Sequence, residues 1–153
     1  MEVFKEISIG GWPKEVLLQK LVNAGVQFNA YALTLFDHPL FSPTSPAEKA
    51  KLVKLTAADL GLCNPFSLES ALQKAAVLGL KPCPLFLAAF LRLEYRNQPE
   101  GSYLTVISTR PVAEENYPTG FYLRKLEGKL WLRGYRAIGE CDHPENNEFV
   151  YLA

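Results

Sequence analysis

Residues 119–136, Thr-Gly-Phe-Tyr-Leu-Arg-Lys-Leu-Glu-Gly-Lys-Leu-Trp-Leu-Arg-Gly-Tyr-Arg, restrict the fold more than any other stretch of the chain. Apolar and polar residues alternate on both sides of Glu127-Gly128, a pair close to the Asp-Gly signal for a two-residue turn with positive φ. With those two residues as the loop, Leu126 pairs with Lys129, Arg124 lies opposite Trp131, and Tyr122 lies opposite Arg133. Phe121, Leu123, Leu130 and Leu132 then share the other face, because side chains change face at every residue of a strand. The spacing predicts a β-hairpin with one core face and one ladder of aromatic rings and arginines.

Helical periods occupy the first half of the chain. Val3 to Ile9 alternates and reads as a short strand closed by Gly10-Gly11. Trp12-Pro13 opens a helix whose Val16, Leu17, Lys20, Leu21 and Ala24 keep a helical period up to Gly25. A second helix is expected from about Asn29 to Phe36, followed by a loop over 37–46 that holds Pro39, Pro43 and Pro46. Lys51 to Thr56 is a strand candidate, and Ser67 is an N-cap for a helix over Leu68 to Leu78 that Gly79 stops. Leu85 to Leu91 reads as helical. Arg92 to Arg96 switches to alternation, which predicts an extended segment with Arg92, Glu94 and Arg96 on one face. After a turn at 97–101, Tyr103 to Ser108 and Phe149 to Leu152 complete the strands.

An internal echo runs through the first half. Leu18-Gln19-Lys20, Gly25-Val26, Leu33 and Phe36 recur as Leu72-Gln73-Lys74, Gly79-Leu80, Leu87 and Phe90 at a constant offset. It fits two strand–helix–helix units, and equally a coincidence between two amphipathic helices that both end in glycine. The fold class expected is α+β: helices of the N-terminal half packed on a mainly antiparallel sheet with a C-terminal hairpin or meander. Residues 1–153 are expected to form one domain, with a helix-rich part over 1–96 and a β-rich part over 97–153.

Composition narrows the partners. Sixteen basic and sixteen acidic residues cancel, which removes the broad attraction a dedicated nucleic-acid binder shows and permits self-association. A content of 48% apolar and 21% charged residues is that of a folded domain. The longest apolar run, Pro84 to Leu91, is too short to cross a bilayer, so no membrane role is expected. Met1 to Glu6 lacks a basic segment followed by an apolar run. Cys63, Cys83 and Cys141 are odd in number and form no Cys-x-x-Cys, as reduced thiols do. The expected compartment is the cytoplasm.

Several blocks together carry a resemblance: Leu80-Lys81-Pro82-Cys83-Pro84-Leu85, Leu91-Arg92-Leu93, Gln98-Pro99-Glu100-Gly101, Gly120-Phe121-Tyr122-Leu123-Arg124, and Leu130-Trp131-Leu132-Arg133-Gly134-Tyr135. Over roughly its C-terminal two-thirds the chain resembles a family of uncharacterised bacterial proteins. The resemblance implies a bacterial origin and no established activity. A helicase label borne by some relatives does not transfer, because the chain has no Gly-x-x-x-x-Gly-Lys-Ser/Thr phosphate loop and is too short for a helicase core.

Signals for catalysis are thin. Both histidines lie in Asp-His-Pro, at 37–39 and 142–144, where a carboxylate beside an imidazole can orient a base, but Asp before a turn proline is also ordinary turn chemistry. Cys141 and His143 supply two metal ligands at most, short of a closed site. Cys83, between two prolines, reads as a buried thiol more readily than as a nucleophile. No catalytic residue, metal site or cofactor is expected. The candidate binding residues are Arg92, Arg96, Tyr122, Arg124, Trp131, Arg133 and Tyr135, which combine planar cations with aromatic faces. The function expected is a non-catalytic binding or interaction module that takes a protein or a small anionic ligand. A small enzyme acting on a phosphorylated or carboxylated substrate is the second reading, and nucleic-acid binding, disfavoured by the charge balance, the third.

Overall fold

Burial follows the alternation. In the computed structural model, which describes residues 1–153, Phe121, Leu123 and Leu132 are buried while Tyr122, Arg124, Trp131 and Arg133 are half-buried on the opposite face. The elements in chain order are β1 (Lys5–Ile9), α1 (Lys14–Asn23), β2 (Gln27–Phe28), α2 (Ala30–Phe36), β3 (Glu48–Thr56), α3 (Leu68–Val77), α4 (Leu87–Glu94), β4 (Tyr103–Val106), β5 (Gly120–Leu126), β6 (Lys129–Tyr135) and β7 (Asn147–Leu152). The fold is α+β, and its strands form one seven-stranded sheet in the order β1-β3-β7-β4-β5-β6-β2. Four neighbouring pairs are antiparallel; β4 with β7 and β2 with β6 are parallel. The sheet draws strands from both the helix-rich and the β-rich parts.

The hairpin has the expected register, with Leu126 opposite Lys129, Arg124 opposite Trp131 and Tyr122 opposite Arg133. Glu127 and Gly128 take φ of 52° and 74°, the left-handed pair that this turn requires. Their N–H groups donate to the Glu100 carboxylate at 2.6 and 3.0 Å, so a side chain from the preceding turn holds the loop. Leu130 departs from expectation. It is half-buried rather than buried, because it lies near the free end of the hairpin.

One face of the sheet is covered by α1, α2 and α4. Their Leu17, Leu21, Leu35, Phe36, Leu87 and Leu91 join Ile7, Leu52, Leu104, Phe121, Leu123 and Leu132 in the larger core cluster. Asn29 fixes α2 against β6. Its Oδ1 accepts from Ala32 N–H, capping the helix, and from Gly134 N–H, both at 2.9 Å, while its Nδ2 donates to Gly134 O at 2.9 Å. The approach is so close that a Cβ on Gly134 would lie 2.7 Å from the backbone of Tyr31. The second face carries α3 alone, packed through Leu68, Ala71 and Ala75 over Val53, Ile107, Phe149 and Tyr151. The helices α1 and α3, which carry the sequence echo, end alike: Gly25 N–H donates to Val22 O and Gly79 N–H to Ala76 O, each with positive φ.

The alternation at 92–96 does not produce a strand. The apolar run ahead of it drives a helix on to Glu94, with Arg92 fully buried on its inner side. Two further differences are small. The strand expected at 51–56 begins at Glu48, and β2, only two residues long, has no signal of its own in the sequence.

Candidate functional site

The sheet's second face is only partly covered, and strand order explains which part. α3 lies over β7 and β3, and the segment 137–147 is tied beside it, with Phe66 and Cys141 exchanging backbone hydrogen bonds at 3.1 Å and Asn64 bonded both ways to the backbone of His143. Beyond that edge β4, β5 and β6 show their second face. Pairing aligns Asn147, Tyr103, Arg124, Trp131 and Gln27 in one row across five strands, and Phe149, Thr105, Tyr122 and Arg133 in the next.

Within these rows planar groups stand against one another. The Arg124 guanidinium lies 3.8 Å from the centre of the Tyr103 ring, and that of Arg133 lies 4.1 Å from the Trp131 ring. Arg133 also donates to the Tyr122 hydroxyl at 3.5 Å. Neither arginine joins any of the three ion pairs in the chain. The Arg124 side chain makes no hydrogen bond, and Nε of both arginines is buried without a partner, an uncommon condition for a buried donor. The ladder thus presents two cations held flat by aromatic rings and not neutralised by any carboxylate.

A pit opens beside the ladder. Thr105 is the one small side chain among large ones in its row, and the gap above it is a cavity of about 220 Å³. Tyr103, Tyr122 and Tyr135 stand around it, Arg136 lies at its edge, and the strap 137–147 supplies the far wall through Ala137, Cys141 and His143. At the base Thr105 Oγ1 donates to Asn147 Oδ1 at 2.9 Å. That bond orients the buried Asn147 amide and leaves its Nδ2 without a partner in the chain. Burial pushes the Tyr135 hydroxyl well above its ordinary range.

Cys141, Asp142 and His143 all reach this wall. The His143 ring stacks on Phe66 at 4.2 Å and its Nε2 lies 3.1 Å from Phe66 O, closer than the 3.5 Å to Cys141 Sγ. Burial first, then the charges of Asp142 and Glu69, hold the Cys141 thiol above its ordinary value, the opposite of nucleophile activation. No three Cys, His, Asp or Glu side chains gather as metal ligands, and all three thiols are free.

Of the residues singled out in the sequence, Tyr122, Arg124, Trp131, Arg133 and Tyr135 share this face. Arg92 and Arg96 do not. Arg92 is buried on the helical side, where it donates to Gln98 Oε1 at 2.7 Å and to the carbonyls of Trp131, Arg124 and Tyr95. Burial lowers its pKa to about 10, so it stays charged at neutral pH and pins α4 to the hairpin. Arg96 is exposed beyond the end of α4, bonded to Leu93 O at 2.9 Å. Sequence reasoning missed Tyr103, Thr105, Asn147 and Arg136. The alternation of Tyr103 and Thr105 placed both on one face of a strand, but nothing local said that β4 borders β5 and β7. Comparison of the chain with protein-family models, curated proteins and solved structures finds no match, so the site stands on its own geometry.

Proposed function

We propose that this chain is a non-catalytic binding module, of bacterial origin and cytoplasmic, that uses the open half of the sheet as its binding face. The observation that carries the reading is the state of Arg124 and Arg133: two cations stacked on Tyr103 and Trp131, with no carboxylate partner and with buried Nε donors unsatisfied. Side chains of this kind lose much rotational freedom when ordered, and a merely structural sheet face is built more economically from threonine and valine. Tryptophan, tyrosine and arginine are the types on which binding energy concentrates. An enzyme acting at the same face is the weaker reading: burial and neighbouring acidic charge hold the Cys141 thiol above its ordinary value, and His143 Nε2 lies closer to Phe66 O than to Cys141 Sγ.

The test compares the wild-type chain with a Trp131→Ala, Arg133→Ala double variant shown by thermal melting to fold. Each is immobilised and the bound material from a bacterial extract is quantified. The reading expects the specifically bound species to be lost from the variant. Equal retention by a folded variant rejects the face as the binding surface.

A further inference from the structure

We infer that the pit and the adjoining arginines form one site for a mononucleotide-like ligand, a planar heteroaromatic ring bearing a phosphate; this rests on the binding-face reading above and names its ligand. Three observations converge. The first is size. A cavity of about 220 Å³ falls below the roughly 300–1,000 Å³ of pockets that enclose drug-sized molecules, so it suits one ring system with the rest of the ligand outside.

The second is the lining. Tyr103, Tyr122 and Tyr135 give the pit aromatic walls with hydroxyl groups at their ends, and Tyr103 and Tyr122 stand 6.0 Å apart at an interplanar angle of 30°. Asn147 is more than nine-tenths buried and lines the cavity; Thr105 holds its Oδ1, and its Nδ2 has no partner in the chain. An aliphatic ligand would leave that donor unsatisfied. A heteroaromatic ring offers faces to the tyrosines and, on its edge, a carbonyl or ring nitrogen to the amide.

The third is charge. Arg136 lines the pit, and two more arginines stand against its tyrosines: Arg133 donates to the Tyr122 hydroxyl at 3.5 Å, and the Arg124 guanidinium lies 3.8 Å from the centre of the Tyr103 ring. Neither Arg124 nor Arg133 is paired with an acid. A phosphate carried by a ring seated in the pit would meet Arg136 at its edge and Arg133 beside the Tyr122 hydroxyl, two guanidinium groups whose planar donors match its oxygens. A zero net charge fits one anionic group and disfavours a polyanion, whose binding depends on many neutralised phosphates.

The probes are adenosine 5′-monophosphate, cytidine 5′-monophosphate, the two parent nucleosides, inorganic phosphate and a short single-stranded oligonucleotide, each titrated calorimetrically into the folded full chain. At least one monophosphate is expected to bind about tenfold more tightly than its nucleoside and than phosphate, the increment charged hydrogen bonds supply. Arg133→Ala is expected to bring the monophosphate to the level of the nucleoside. Tyr103→Ala is expected to weaken both. Should Tyr103→Ala fail to fold, amide spectra of the wild-type chain provide the second readout, with shifts expected at Thr105 and Asn147.

The proposal is overturned if no monophosphate binds at millimolar concentration, if inorganic phosphate binds as well as the monophosphates, or if the oligonucleotide binds more tightly than any of them with a steep salt dependence. It is overturned too if the amide shifts fall elsewhere. These failures are distinguishable from failure of the broader reading. If nucleotides do not bind but the double variant still loses its captured material, the face stands and the ligand class falls. If nucleotides bind and the face variants do not affect them, the face itself falls.

Discussion

Arg92 and Arg133 carry the same cation into opposite environments. Arg133 lies on an aromatic ring at a half-open surface, its charge available. Arg92 is fully buried, and three backbone carbonyls and a glutamine oxygen surround its guanidinium. Arg92→Met keeps the volume and leaves those acceptors without a donor. The expected cost is about 2–4 kcal/mol, a fall in Tm of roughly 5–15 °C for a chain of this size. Because Arg92 reaches the hairpin from the helical side, through the backbone carbonyls of Arg124 and Trp131 and not through their side chains, a variant that folds should bind as the wild type does. Arg133→Ala should reverse the pattern, with a stability change of about 1 kcal/mol or less and binding lost. Melting curves and binding isotherms on the two variants separate a cation that holds the fold from one that holds a partner.

At the scale of elements, α2 and the hairpin depend on one asparagine. Asn29 caps the helix and bonds both ways to Gly134. Asn29→Ala removes the cap, worth about 1 kcal/mol, and two further hydrogen bonds, so chemical denaturation should show a loss of about 2–3 kcal/mol. Leu132→Ala, beneath the ladder and fully buried, should cost about 2–4 kcal/mol through lost burial and the cavity left behind. The same scale shows what the sequence can reveal. The hairpin was legible because its turn, its period and its partner strand lie within 18 residues. The helix through Arg92 was misread because burying an arginine there depends on carbonyls of Arg124 and Trp131, more than 30 positions away. The ladder half of the site, on β5 and β6, followed from alternation alone. The pit half did not, because Thr105 and Asn147 meet only through the parallel pairing of β4 with β7, and no local pattern encodes a parallel neighbour.

Over the whole molecule, the buried acids set a direction for pH. Burial raises the Cys83 thiol above its ordinary 9.0 and the Tyr135 and Tyr151 hydroxyls above 10.0. The unfolded chain therefore loses these protons at lower pH than the folded one. The stability associated with these groups is complete below pH 9 and falls as pH rises, first through Cys83 and above 10 through the tyrosines. Urea unfolding at pH 7, 9 and 10.5 should give a falling free energy, and Cys83→Ala should lessen the fall above pH 9. No helix is long and apolar enough to cross a membrane, and the molecule's asymmetry lies in its two sheet faces: one covered by three helices, the other by one helix and a strap.

That asymmetry places the two tryptophans on different sides of the molecule. Trp131 stands in the open ladder, and Trp12 packs against Phe90 on the helical side with Lys20 over its ring. Hydroxyl-radical footprinting of the chain, alone and loaded with the material it captures from an extract, reads both rings in one experiment by mass spectrometry. The account predicts that binding protects Trp131 and Tyr122 from oxidation while Trp12 oxidises at its free rate. Protection of Trp12 with Trp131 and Tyr122 unchanged would contradict it and move the binding surface to the helical side.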